Sequence, residues 1–145
     1  MNPKDLSIRD YLSNIIFITG GTKSGKSEFA EHLAKDLKGL AYIALSENNI
    51  DDKEWQKKIN LHQKRRPKNW KLIETTDLLN TLSKEDGPLL IDSIGGFVME
   101  SIDKETTEWL MKMNSLINLL KERKRSIINR FYWRIRYEKY WQGTK

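Results

Sequence analysis

Gly20, Gly25, Lys26 and Ser27 stand at the spacing G-x-x-x-x-G-K-[ST] within "TGGTKSGKSEF", residues 19–29. Those residue types at that spacing suit phosphate. Gly20, Gly21 and Gly25 let the backbone curl so that successive N–H groups point into one nest, with Thr22, Lys23 and Ser24 completing the loop. A helix opening at Lys26 adds the partial positive charge of its N-terminus. Lys26 reaches the outer phosphates as a point charge, and the Ser27 hydroxyl helps to hold Mg²⁺. Lys23 is either a further phosphate contact or a solvated side chain. Asp92 closes the apolar run "GPLLIDS" (87–93). An acid there in a phosphate-loop fold holds the metal, often through water; otherwise it is a solvated acid at a strand end.

The chain has two histidines. His32 falls on the polar side of the helix after the loop, where an exposed, inert role is expected. His62 sits in "LHQKRRPKNW", just before Lys64, Arg65 and Arg66. A neutral imidazole is a competent nucleophile toward phosphorus. Three neighbouring cations would stabilise a crowded polyphosphate and the charge that develops on transfer. The plainer reading is a histidine among bases at a helix C-terminus.

The elements that must position these groups alternate. "NIIFIT" (14–19) reads as a buried parallel strand feeding the glycine turn. Phe29, Ala30, Leu33, Ala34 and Leu37 mark a helix over 26–38, with Gly39 as its C-terminal cap. "LAYIAL" (40–45) is a second strand. "DDKEWQKKINLHQKRR" (51–66) runs from acids to bases, in the sense of a helix dipole, and Pro67 stops it. "WKLIE" (70–74) reads as a strand, 76–84 as a short helix capped by Thr76, and 87–93 as a third strong strand. A long helix over 106–124 turns Trp109, Met113, Leu116, Ile117 and Leu120 to one face, and "RSIINRFYWRIRY" starts as a strand. The alternation predicts an α/β fold, a mostly parallel sheet flanked by helices, P-loop NTPase-like and RecA-like.

At 145 residues the chain is one domain by length. It has no cysteine, which excludes disulfides and thiolate metal sites. No run of 18 or more apolar residues appears, and the charged start "MNPKDLSIRDYLSN" has no signal-peptide core, so a soluble cytoplasmic protein away from membranes is expected. The net charge of +6 is local: residues 121–145 carry nine Lys/Arg and two Asp/Glu, a sum of +7 that leaves −1 elsewhere. The expected division is an N-terminal extension (1–13), a nucleotide-binding domain (14–128) and a basic, aromatic tail (129–145).

Taken together, "FITGGTKSGKSEFAE", "YIALS", "DD", "LHQKRRPKNWKLIE" and "LLIDSI" occur in one order at close spacing. They resemble the bifunctional adenosylcobinamide kinase / adenosylcobinamide-phosphate guanylyltransferase family of cobalamin biosynthesis, over about residues 14 to 128. The resemblance implies a P-loop domain that usually forms a homotrimer, uses ATP or GTP to phosphorylate adenosylcobinamide, and carries GMP on a histidine to adenosylcobinamide phosphate. It implies His62 as that histidine. It implies a guanine-nucleotide site lined by Gly20 to Ser27, Ala44, Leu45, Ser46, Gln63, Lys64, Arg65, Arg66, Glu74 and Asp92. Asp92 stands where the family more often has Glu, and Leu61 where it often has a first histidine. Family members continue past "SIIN" with a buried strand and a Glu–Val–Gly motif that "RFYWRIRYEKYWQGTK" does not match. A truncated or frame-altered member with an exposed sheet edge is therefore expected.

Three other readings remain open. The chain could be a P-loop kinase of another small molecule, with His62 incidental. It could bind nucleotide and be catalytically impaired. The tail, with Phe131, Tyr132, Trp133, Tyr137, Tyr140 and Trp141 among Arg and Lys, could be a single-strand nucleic-acid platform; a solvated or edge-strand tail is the more common explanation, so a nucleic-acid partner is not expected.

Overall fold

The computed structural model describes residues 14–21, 23–45, 66–123 and 126–129. The expected helix over 51–66, save Arg66, the N-terminal extension and the tail beyond Asn129 lie outside them. The described chain runs β1 (Ile15–Ile18), α1 (Lys26–Ala34), β2 (Ala41–Leu45), β3 (Lys71–Thr75), α2 (Leu78–Lys84), β4 (Leu89–Ile91), α3 (Gly95–Met99), α4 (Thr106–Lys121) and β5 (Ser126–Asn129). The five strands form one sheet in the order β1-β5-β4-β2-β3, and every pairing is parallel. This is the expected parallel α/β architecture with helices on both faces, P-loop NTPase-like in class.

Alternation along the strands sorts the core into two faces. On one, Ile16, Ile18, Tyr42 and Leu90 pack with Leu40 and Trp70 beneath Ala30, Leu33 and Ala34 of α1. On the other, Ala41, Ile43, Leu89 and Ile91 meet Leu78 and Leu82 of α2, Phe97 of α3, and Leu116 and Leu120 of α4. Truncating such a buried Leu or Ile to Ala costs about 2–5 kcal/mol, the lost transfer energy plus the cavity left behind.

Several expected boundaries move for local reasons. The first helix ends at Ala34, not Lys38, and Gly39 does not cap it. Leu37 continues the apolar period, but a turn carries it, its N–H donating to Ala34 O at 3.0 Å. Gly39 adopts φ +68° and returns the chain into β2. A side chain at Gly87 would meet the Gly39 carbonyl at 2.8 Å, so the two turns need glycine for close approach. Asp77, not Thr76, caps α2, because its carboxylate accepts from Asn80 N at 3.1 Å. The third strong strand shortens to Leu89–Ile91. On α4, Ile117 is 41 % exposed, while Leu119 packs against the core. Ile117 lies about 100° round the helix from Leu116, beyond the face that Trp109, Met113 and Leu120 share. The short helix α3, "GGFVM", has no counterpart in the sequence reading.

Among the described residues β1 is an outer strand, and its Phe17 is 56 % exposed on the side that α2, α3 and α4 cover elsewhere. No described helix is long and apolar enough to cross a membrane.

Candidate nucleotide site

Because all five strands run the same way, their C-terminal ends gather at one rim. The glycine loop leaves β1 there, and Asp92 follows β4, its N–H donating to Ile43 O at 3.0 Å. β5 separates the two strands, so the loop and Asp92 stand two strand spacings apart, about 10 Å. Glu74, on the outer strand β3, is four spacings from β1, about 19 Å.

The loop is shaped by its glycines. Gly25 takes φ +81° at the N-cap of α1, and no side chain caps the helix. Gly25 has no side chain to take the capping position, the place that an anion can fill at a helix N-terminus. A side chain at Gly20 would come within 2.9 Å of Ser24 Oγ and 3.4 Å of Lys26 Cγ, so the loop closes over this residue. Lys23 also has positive φ, at 53°, a region that costs a non-glycine residue energy. Lys26 Nζ folds back and donates to Gly21 O, with Ser24 Oγ at 3.4 Å. The ammonium therefore already lies inside the curl where phosphate oxygens would sit.

Ser27 and Asp92 supply hard oxygen donors of the kind Mg²⁺ takes. That ion usually needs only one or two protein ligands beside phosphates and water. A hydroxyl at the start of α1 and a carboxylate at the end of β4, on one rim, fit such an ion. Among the described residues there is no group of three or more His, Asp or Glu that could hold a metal without a nucleotide.

On the same face of the sheet, over β2, lies a second polar group. Arg66 presents its guanidinium carbon 3.4 Å from the centre of the Tyr42 ring. Its Nε lies 3.9 Å from Glu31 Oε1, and the two side chains are only 11 % and 10 % exposed. Trp70 stacks on the same tyrosine, with ring centres 6.3 Å apart. The Tyr42 hydroxyl faces the Asp92 carboxylate without the geometry of a full hydrogen bond. Burial first, and then Asp92, push the phenol far above its usual range, while Arg66 pulls the other way. Arg66, Pro67, Lys68, Trp70, Tyr42 and Leu72 line a cavity of about 180 Å³ toward the starts of β2 and β3.

Of the residues expected at a nucleotide site, the structure brings Gly20, Gly21, Lys23 to Ser27 and Asp92 to one rim. Glu74 stands in register with Ala44 and on the same face, the α1 side. Leu45 turns the other way, into the apolar face under Gly96. Arg66 points at Tyr42 and Glu31. Thr22, Ser46, His62, Gln63, Lys64 and Arg65 lie outside the described residues. His32, expected to be exposed, is half-buried in the last turn of α1. Sequence reasoning missed Glu31 and Tyr42. The available signal was a tyrosine inside the otherwise aliphatic run "LAYIAL".

A parallel sheet with a glycine loop, an uncapped helix behind it and an acid two strands away defines a P-loop nucleotide-binding protein. The family described as cobinamide kinase / cobinamide phosphate guanyltransferase matches residues 16–129, and the chain belongs to that family. It is 34 % identical over 104 residues to the bifunctional adenosylcobalamin biosynthesis protein CobU of Escherichia coli K12, covering 66 % of this chain and 56 % of that protein. It is 40 % identical over 72 residues to the CobU protein of Salmonella typhimurium LT2, covering 50 % of this chain and 39 % of that protein. The chain thus spans about half or less of the length of these relatives. A crystal structure of the RadB recombinase aligns over 86 % of this chain and 66 % of its own, with a TM-score of 0.48 and 16 % identity, too loose to bear on function.

Proposed function

We propose that this chain binds GTP across the rim of the sheet and carries its GMP on His62. In this reading it acts in cobalamin biosynthesis, both as a kinase of adenosylcobinamide and as a guanylyltransferase to adenosylcobinamide phosphate. The observation that carries the reading is the built phosphate loop, with Gly25 in the left-handed region, an uncapped α1 and Lys26 inside the curl, in a chain of this family.

In the kinase step the aminopropanol hydroxyl attacks the γ-phosphorus of ATP or GTP, loses its proton and releases the nucleoside diphosphate. The loop N–H groups and Lys26 hold the transferring and leaving phosphates. In the guanylyl step an imidazole nitrogen of His62 attacks the α-phosphorus of GTP. The bond to the bridging oxygen breaks and pyrophosphate leaves. A phosphate oxygen of adenosylcobinamide phosphate then attacks the same phosphorus, breaks the P–N bond and restores the imidazole. Ser27 and Asp92 would hold Mg²⁺, which when bound neutralises phosphate charge. Lys64 and Arg65 would add positive charge near the leaving pyrophosphate, while Ser46, Gln63, Ala44 and Glu74 would line the nucleoside end. The assembly would be a homo-oligomer, a trimer in the family.

Incubation with [α-³²P]GTP is expected to label the protein through an acid-labile, base-stable bond, the signature of a phosphoramidate. His62→Ala should take no label, and Lys26→Ala should take little. An unlabelled parent protein, or equal labelling of His62→Ala, would overturn the reading. Transfer of γ-phosphate without a guanylyl intermediate would point to a kinase of another small molecule.

A further inference from the structure

Tyr42 interrupts an otherwise aliphatic strand, and it is 1 % exposed. It pairs with Leu90 of β4, and both side chains enter the apolar face beneath α1. Trp70 stacks on its ring, and the Arg66 guanidinium carbon lies against the ring centre. A phenol oxygen lies on the ring axis, so packing that holds the ring also holds the hydroxyl. Asp92 comes two residues after Leu90. Strand alternation turns it to the same face, diagonal to Tyr42 across the pair of β2 and β4. Its main chain is tied to β2 by the N–H that donates to Ile43 O at 3.0 Å, and its side chain is half-buried. The Tyr42 hydroxyl faces this carboxylate, short of a full hydrogen bond. A buried O–H is satisfied by an acceptor, and a carboxylate has two oxygens to offer. One can accept from the phenol while the other is presented to the rim. A phenylalanine would fill the same core, so the hydroxyl is the part of this residue that packing does not require.

We propose that Tyr42 is the positioning residue of the ion site: its hydroxyl donates to one oxygen of Asp92 and so turns the other toward the Mg²⁺–nucleotide at the rim. The inference deepens the nucleotide reading and rests on its Mg²⁺ site, not on the GMP–histidine step. An aspartate has two side-chain torsions. With its main chain tied to β2, one hydrogen bond to a fixed donor settles how the carboxylate faces. Outer partners of this kind orient the carboxylates that hold metals, and losing one typically weakens metal binding roughly 10–100-fold.

A double-mutant cycle on the full chain tests this, with Mn²⁺ in place of Mg²⁺ and the α,β-methylene analogue of GTP, which cannot lose pyrophosphate. Electron paramagnetic resonance measures the free Mn²⁺. Tyr42→Phe keeps the ring and should weaken Mn²⁺ binding to the protein–analogue complex about tenfold. Its affinity for the analogue without metal should stay within twofold of the parent. Asp92→Asn should weaken Mn²⁺ binding at least as much, and the double variant should be no weaker than Asp92→Asn alone. Unchanged Mn²⁺ affinity in Tyr42→Phe, or losses that add in the double variant, overturns the proposal; a hydroxyl that serves only the core gives one of those two results. Should Tyr42→Phe fail to fold, protein made with [ζ-¹³C]tyrosine carries the test. Of its five tyrosine resonances, one should shift when Mg²⁺ is added to the parent complex and stay fixed in Asp92→Asn. If no resonance behaves so, the proposal falls. A parent that binds Mn²⁺ with the analogue but takes no GMP from GTP defeats the guanylyl reading and leaves Tyr42 in its role. A parent that takes GMP while Tyr42→Phe keeps its Mn²⁺ affinity does the reverse.

Discussion

Arg66 and Arg123 both leave solvent, one on each face of the sheet, and they do so for different partners. Arg123, on the face covered by α2, α3 and α4, is 7 % exposed. Its guanidinium donates to the carbonyls of Leu82 and Glu85, the last turn of α2. These are the acceptors that a helix end leaves unpaired, and Arg123 closes that end from the far side of α4. Burial holds its pKa below the usual value, with Asp86 and Glu85 opposing. Arg66, on the α1 face, meets a ring and a carboxylate on separate elements. One arginine completes a helix; the other joins a loop to the phosphate-binding helix. A buried cation is therefore no sign of a site until its partners are known.

Substitutions that remove each cation should split stability from chemistry. The largest stability effect is expected for Arg123→Met, which leaves buried carbonyls without donors at a cost of about 2–3 kcal/mol. It should lower the thermal midpoint by several degrees in a calorimetric scan, while GTP affinity stays within twofold. Arg66→Met should cost only about 1 kcal/mol, since it loses one cation–π contact and one ion pair at long range, yet it should slow GMP labelling at least tenfold. If Arg66→Met proves the more destabilising and the less damaging to labelling, the contrast is the wrong way round. Asp77→Ala removes the α2 cap for about 1 kcal/mol and should be silent in labelling, which marks the α2 side as structural.

The smallest effect is a pH dependence. The Tyr42 phenol has a pKa raised above its unfolded value of about 10, so above that pH the folded chain keeps a proton that the unfolded chain releases. Its contribution to stability is complete below about pH 10 and is lost as pH rises further. Thermal midpoints from pH 8 to 11 should fall more steeply for the parent than for Tyr42→Phe. Parallel curves would mean the hydroxyl is not held in the buried environment facing Asp92.

The phosphate loop was legible in the sequence because its chemistry is local. Gly20, Gly25, Lys26 and Ser27 need only a strand before them and a helix after, and both are visible as apolar patterns. Strand order was not legible. "NIIFIT", "LLID" and "SIIN" are all short apolar runs, and nothing in their composition says that β5 enters between β1 and β4. Arg66 was legible as part of a spaced motif, but its use was not. Whether an arginine faces phosphate or a ring depends on Tyr42 and Glu31, which lie 24 and 35 residues earlier in the chain. Helix ends failed where periodicity outran geometry, as at Leu37, or where two glycines hid a helix, as at Gly95 and Gly96.

The late strand has a consequence for how the protein is born. Ile15 and Leu89 both pair with Ser126, so β1 and β4 are joined only through a strand made about 35 residues after β4. Without residues 126–129, the facing edges of β1 and β4 would each lack their hydrogen-bonded neighbour, the kind of open edge that invites pairing with another chain. Residues 126–129 thus join the strand before the glycine loop to the strand before Asp92.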